Sequence, residues 1–69
     1  MAMRGVVTTF DPAIGLGVVT AEDGTELMFH CVEIADGSRT IEVGRSVEFE
    51  LLAKLGRYEA GAIRPMPSP

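Results

Sequence analysis

The chain has 69 residues, ten acidic against six basic side chains for a net charge of −4, and 46% hydrophobic residues. That length holds one small domain with a thin core. The hydrophobic share is too high for a disordered chain, and charge or glycine breaks every apolar run within a few residues, which excludes a membrane-spanning helix. No N-terminal stretch has the basic-then-apolar order of a signal peptide. The single cysteine, Cys31, supports neither an internal disulfide nor a multi-cysteine metal site, and the expected compartment is the reducing cytoplasm. The acidic balance opposes phosphate binding, so bulk charge gives no support to a nucleic-acid partner.

In chain order the pattern is one of short strands cut by turns. The first strand is Arg4 to Phe10, rich in β-branched Val6, Val7, Thr8 and Thr9. Asp11-Pro12-Ala13 breaks it. A second strand is expected over Ile14 to Ala21, followed by Glu22-Asp23-Gly24, a hairpin signal. The third strand is Glu26 to Cys31. Val32 to Thr40 forms a longer connection with Asp36-Gly37-Ser38 as its turn chemistry. Gly44 opens the fourth strand, Arg45 to Ala53, where Val47, Phe49 and Leu51 alternate with Ser46, Glu48 and Glu50. Lys54-Leu55-Gly56 turns the chain into a fifth strand, Arg57 to Ile63. No helix of useful length is expected. The domain spans 1–64, and 65–69 is a proline-rich tail unsuited to a central strand. Five short strands with a long link after the third predict an all-β, five-stranded antiparallel Greek-key barrel, the OB-fold. Its expected core is Val7, Val19, Phe29, Val47, Phe49 and Ile63, read from strand phase.

One stretch breaks the strand rule. Gly15 and Gly17 lie inside an apolar run, where glycine adds backbone entropy cost and no packing. They share a phase opposite to Leu16 and Val18.

From Gly5 to about Ile63 the chain resembles the bacterial cold-shock domain family. The family opening Gly-x-Val-Lys-Trp-Phe-Asn is matched by Gly5-Val6-Val7-Thr8-Thr9-Phe10-Asp11. Its first ribonucleoprotein motif, Lys-Gly-Phe-Gly-Phe-Ile, is matched by Ile14-Gly15-Leu16-Gly17-Val18-Val19. The second, Val-Phe-Val-His-Phe, is matched by Leu27-Met28-Phe29-His30-Cys31. Downstream, Thr40-Ile41-Glu42-Val43-Gly44-Arg45-Ser46-Val47-Glu48-Phe49 is similar to the family's Thr-Leu-x-x-Gly-x-x-Val-x-Phe, and Ala60-Gly61-Ala62-Ile63 is similar to Ala-x-Asn-Val. The resemblance implies a cold-shock-like OB barrel with Leu16 and Val18 outward and the two glycines inward. An inward Val7 and an outward Thr9 share a phase, so a bulge or twist must separate them.

The resemblance also implies binding of single-stranded RNA or DNA, by base stacking on surface aromatics beside lysines. Most of that equipment differs here. Thr8 and Thr9 stand for lysine and tryptophan, Ile14 for lysine, and Leu16, Val18, Met28 and Cys31 for phenylalanines. Phe10 and His30 keep the family identity. The candidate nucleic-acid residues are therefore Thr9, Phe10, Leu16, Val18, Met28, His30, Arg57 and Tyr58. Phe10 is either a stacking platform or a plug for the barrel mouth. Arg57 and Tyr58 are either a guanidinium and ring that suit a nucleotide or an ordinary hairpin end. Arg4, Arg39 and Lys54 are candidate phosphate contacts. Cys31 is a redox-sensitive thiol or, as a better fit, a small apolar filler. The expected function is weak, low-specificity single-strand binding. The alternative is a protein-interaction or self-associating module that docks a partner, or a second copy, through the Leu16, Val18 and Met28 face. One histidine cannot assemble a catalytic set or a metal site, so no enzyme activity and no cofactor are expected.

Overall fold

A computed structural model describes residues 2–66. The five strands are β1 (Met3–Asp11), β2 (Leu16–Ala21), β3 (Glu26–His30), β4 (Ser46–Lys54) and β5 (Arg57–Pro65). All neighbours pair antiparallel, in the order β3-β2-β1-β4-β5. The first three strands form a meander. The long connection then carries the chain from one sheet edge to the far side of β1.

The turns follow from their residues. Asp11 accepts the N–H of Ala13 on Oδ1 at 3.0 Å and that of Gly15 on its backbone oxygen at 2.8 Å. Asp23 and Asp36 do the same two residues on, accepting from Thr25 and Ser38 at 2.9 Å each. These are Asx turns, in which a short carboxylate stands in for a backbone acceptor. Their N–H donors hold both carboxyls below the usual aspartate range, with the Thr25 and Ser38 backbone bonds as the leading cause.

The expected core residues Val7, Val19, Phe29, Val47, Phe49 and Ile63 are all fully buried, joined by Ala21, Leu27, Ile34 and Ala60. Burying each of the larger side chains is worth about 1.5–3 kcal/mol, which is how so short a chain offsets its ordering entropy. The alternation of β4 does not carry its inward phase to the end. Leu51 shares the phase of Val47 and Phe49 yet is 50% exposed, because the β4–β5 hairpin runs on past the core.

The expected bulge lies in β1. Val7 faces Val19 and Thr9 faces Val18, so Thr8 is the extra residue between them. Its hydroxyl lies 3.3 Å from the Val18 carbonyl and 3.1 Å from the Thr20 hydroxyl. A second irregularity lies in β5. Glu48 faces Arg64 and Glu50 faces Gly61, two steps on β4 against three on β5. Ala62, inside that bulge, has φ +49°, and its N–H donates to Glu33 Oε1 at 3.2 Å.

The two puzzling glycines have different reasons. Gly17 is inward in β2, and a Cβ there would sit 2.6 Å from both Phe29 Cζ and the Thr9 carbonyl oxygen. Gly15 precedes β2 rather than lying in it. Its φ of +71° is left-handed backbone, and a Cβ would meet Cys31 Sγ at 2.8 Å. The second strand is therefore two residues shorter than the apolar run suggests, because a left-handed residue cannot continue a ladder.

The sheet is not hydrogen-bonded into a full ring. No ladder joins β3 to β5 among the described residues. A 3-10 turn, Cys31–Glu33, spans the gap instead. Beyond it Ile34 bridges Ile63 in parallel, and Ala35 N–H donates to the Ile63 carbonyl at 2.7 Å. β5 also runs past the expected boundary at residue 64. Pro65 is its last residue, opposite Val47, on an edge strand where a missing N–H is tolerated. The rest of the expected tail, 67–69, lies outside the described residues.

Candidate nucleic-acid interface

Residues opposite one another on antiparallel strands share a face. On the outer face of β1, β2 and β3 this produces cross-strand rows. Asp11, Leu16 and His30 form the first, Thr9, Val18 and Met28 the second, and Val6, Thr20 and Glu26 the third. The inner face alternates with them: Phe10, Gly17 and Phe29 form one row, and Val7, Val19 and Leu27 the next.

Five of the eight candidate residues thus lie together in two adjacent outer rows. Thr9 and Met28 are exposed, Leu16 and Val18 half-buried, and the His30 side chain is 47% exposed. The surface is apolar at its centre. Its charges are unfavourable to a polyanion: Asp11 ends the first row and Glu26 the third.

Three candidates sit elsewhere. Phe10 belongs to an inner row. Its ring stacks on Phe29 with centroids 5.9 Å apart and planes 5° from parallel. One face of the half-buried Phe10 ring is therefore occupied by Phe29. Arg57 and Tyr58 are consecutive in β5, so they point to opposite faces and do not form one guanidinium–ring site. Tyr58 is 62% exposed and lies opposite Ala53 on the hairpin.

The cations are largely spoken for. Arg4 lies 3.7 Å from Glu48, and Arg64 reaches Glu48 at 3.6 Å and Glu50 at 3.4 Å. Arg57 pairs with Glu59. Arg39 and Lys54 have no ion-pair partner among the described residues, and both are exposed. Cys31 lies just past the end of β3, half-buried against the core, with its N–H donating to the Gly15 carbonyl at 2.8 Å. It fills space between the turn and the core and stands apart from the outer rows.

Sequence reasoning missed Glu59. It is 1% exposed, the only buried charged residue among those described. Arg57 Nε and Nη2 both reach its Oε2 at 2.9 Å. Its Oε1 is buried with no hydrogen-bond partner, 3.8 Å from His30 Nε2. Two residues apart on a strand, Arg57 and Glu59 share a face, and that spacing was the available signal for their pairing. The burial comes from β3 and has no local signal.

Among the described residues no group of three or more His, Cys, Asp or Glu side chains is placed to hold a metal, and no helix is long and apolar enough to cross a membrane.

A five-stranded antiparallel sheet in this order, with the glycine-spaced motif of β2 paired to the Leu27–Cys31 motif of β3, defines a cold-shock-type OB-fold. The chain belongs to the cold-shock domain family: the family model described as 'Cold-shock' DNA-binding domain matches residues 3–66. It is 35% identical over 65 residues to the cold shock-like protein CspA of Stigmatella aurantiaca, covering 91% of this chain and 96% of that one. It is 38% identical over 50 residues to a cold shock-like protein of Thermotoga maritima, covering 71% of this chain and 76% of the other. Among solved structures it superposes on the Drosophila Unr CSD456 with a TM-score of 0.81 at 28% identity, covering 97% of this chain and 27% of that one.

Proposed function

We propose that this protein binds single-stranded RNA or DNA weakly and with low sequence specificity, across the outer face of β1, β2 and β3. The observation that carries the reading is the contiguity of Thr9, Val18 and Met28 with Leu16 and His30 in two neighbouring rows, in a chain of the cold-shock family. Bases lie against Leu16, Val18 and Met28 and stack on His30, while few phosphates are neutralised. Each aromatic stacking platform is worth ~1–3 kcal/mol per base, so aliphatic replacements leave affinity orders of magnitude lower. Arg39 and Lys54, exposed and without an ion-pair partner among the described residues, supply the phosphate contacts. The log–log salt slope is therefore shallow, at about −0.7 per contact. No catalytic step is proposed, and the proposed setting is the reducing cytoplasm.

Titration of a fluorescent oligopyrimidine at low salt tests this reading. Saturable binding that weakens with salt supports it. No binding by either the natural chain or a Thr9→Trp variant overturns it.

A second reading rests on the same face. Met28 is 40% exposed beside half-buried Leu16 and Val18, and the flanking charges Asp11 and Glu26 are acidic. An apolar strip with an acidic rim suits a protein partner with basic flanks, whereas a second copy of this chain offers the matching strip but brings the same acids. Concentration-dependent sedimentation separates self-association from both alternatives.

A further inference from the structure

The buried carboxylate beside the outer face has no part in the binding reading so far. Burying a charge without satisfying it is costly, and a carboxylate accepts on both oxygens. Arg57 holds Oε2 of Glu59 with two nitrogens at 2.9 Å, while Oε1 is buried and unpartnered. His30 Nε2 lies 3.8 Å from that oxygen, just beyond hydrogen-bond range. His30 ends the first outer row, beside Leu16.

We propose that Glu59 is a positioning residue for His30, and that the pair links nucleic-acid binding to a proton. This rests on the single-strand reading above. Histidine is the side chain whose charge changes near neutral pH. A neutral ring holds its one hydrogen on either nitrogen, whereas the protonated ring carries one on Nε2 in every case and adds a charge, which draws Nε2–H onto Oε1, completes the carboxylate's shell and fixes the ring at the edge of the face. The groups around the ring decide the net effect. From β5 come Glu59 and Arg57, which compensate each other. From β4 comes Lys54, opposite Arg57. Asp11 of β1 lies beyond Leu16 in the same row, and Glu33 of the following 3-10 turn is engaged by the Ala62 N–H. Protonation changes the His30–Glu59–Arg57 cluster from neutral to singly positive and sets one cation on a face otherwise flanked by acids.

The test is the affinity for a short fluorescent oligothymidylate at about pH 5.5 and about pH 8, across the range where histidine titrates and thymine does not. The natural chain binds roughly fivefold tighter at the lower pH, as one exposed charge contact provides. Its log–log salt slope steepens there by about 0.7, the increment for one added phosphate contact. His30→Gln keeps a polar group and loses the pH dependence. Glu59→Gln loses the acid enhancement as well, because Arg57 holds its one acceptor oxygen and its amide NH2 faces the ring. Equal pH dependence in the natural chain and His30→Gln overturns the proposal while leaving single-strand binding intact. If no oligonucleotide binds at either pH, the binding reading fails, and the free protein still decides the pair. At the lower pH the imidazolium Nε2–H resonance is visible by NMR in the natural chain and absent in Glu59→Gln. Its absence from the natural chain overturns the proposal.

Discussion

The two faces of the β1–β2–β3 meander are built by alternate residues of the same strands, yet they match the cold-shock pattern to very different degrees. The inner face keeps Gly17 bare, and Phe29 fills the space above it, with Phe10 stacked on Phe29 at 5.9 Å. The outer face has Thr9, Leu16, Val18 and Met28 where the family pattern has tryptophan and phenylalanines. Inner positions are fixed by volume, since a methyl group has nowhere to go in a close-packed interior. Outer positions are fixed by what lands on them. A fold can thus survive in full while the surface it presents is rewritten.

Four variants sharpen or break this contrast. The largest effect belongs to the inner face. Gly17→Ala puts a Cβ 2.6 Å from Phe29 Cζ and from the Thr9 carbonyl, and backbone cannot yield as a side chain can. A loss of about 1–3 kcal/mol is expected, read by urea denaturation, and a neutral result would mean the inner row is loosely packed. Next, Thr9→Trp adds a platform at an exposed outer position opposite Val18 and tightens single-strand binding by ~1–3 kcal/mol, with little change in melting temperature. A stability loss without a gain in affinity would place position nine inside. Third, Val18→Lys at the half-buried centre of the outer face changes stability by about 0.5 kcal/mol or less, measured on monomeric protein. A large loss would erase the distinction between the faces. The smallest effect lies in the turns. The lowered carboxyls of Asp23 and Asp36 stabilise the fold only while ionised. That contribution is full above their unfolded range near about pH 4 and is lost as pH falls through their lower folded values. The double change Asp23→Asn and Asp36→Asn should therefore lower the melting temperature slightly near neutrality and flatten its acid limb, with little change at the acid end.

What was legible in the sequence follows the same division. Strand phase sufficed for the inner core from Val7 to Ile63, because alternation is local and volume is its own signal. The β1 bulge was legible as a contradiction: Val7 and Thr9 could not face opposite ways without one. Gly15 was misplaced because a left-handed turn residue and a strand glycine read alike beside apolar neighbours. Phe10 could not be assigned, since its inward turn depends on the same bulge that sends Thr9 outward. Glu59 was invisible. A charged strand residue reads as solvated, and its burial depends on β3, almost thirty residues earlier, arriving beside β5. How far the barrel closes was not legible for a related reason. A single parallel bridge from Ile34, beyond the 3-10 turn, to Ile63 of β5 ties the two ends of the sheet, and no periodicity announces it.

The bulge at Thr8 acts on β1 as a frame-shift acts on a coding strand. Upstream of it, Gly5 and Val7 read inward. Downstream, the inward set moves to Phe10, one register later. Removing Thr8 would delete the spare letter and leave every remaining side chain of β1 on its present face. Removing a neighbour such as Val6 would invert the strand on one side of the cut, carrying either Val7 or the preceding residues to the wrong surface. Length changes in this strand are therefore not equivalent. What it can omit is one threonine of the Thr8–Thr9 pair, either deletion giving the same sequence, and the hydroxyl lost with it is the one that rests on Val18 and Thr20.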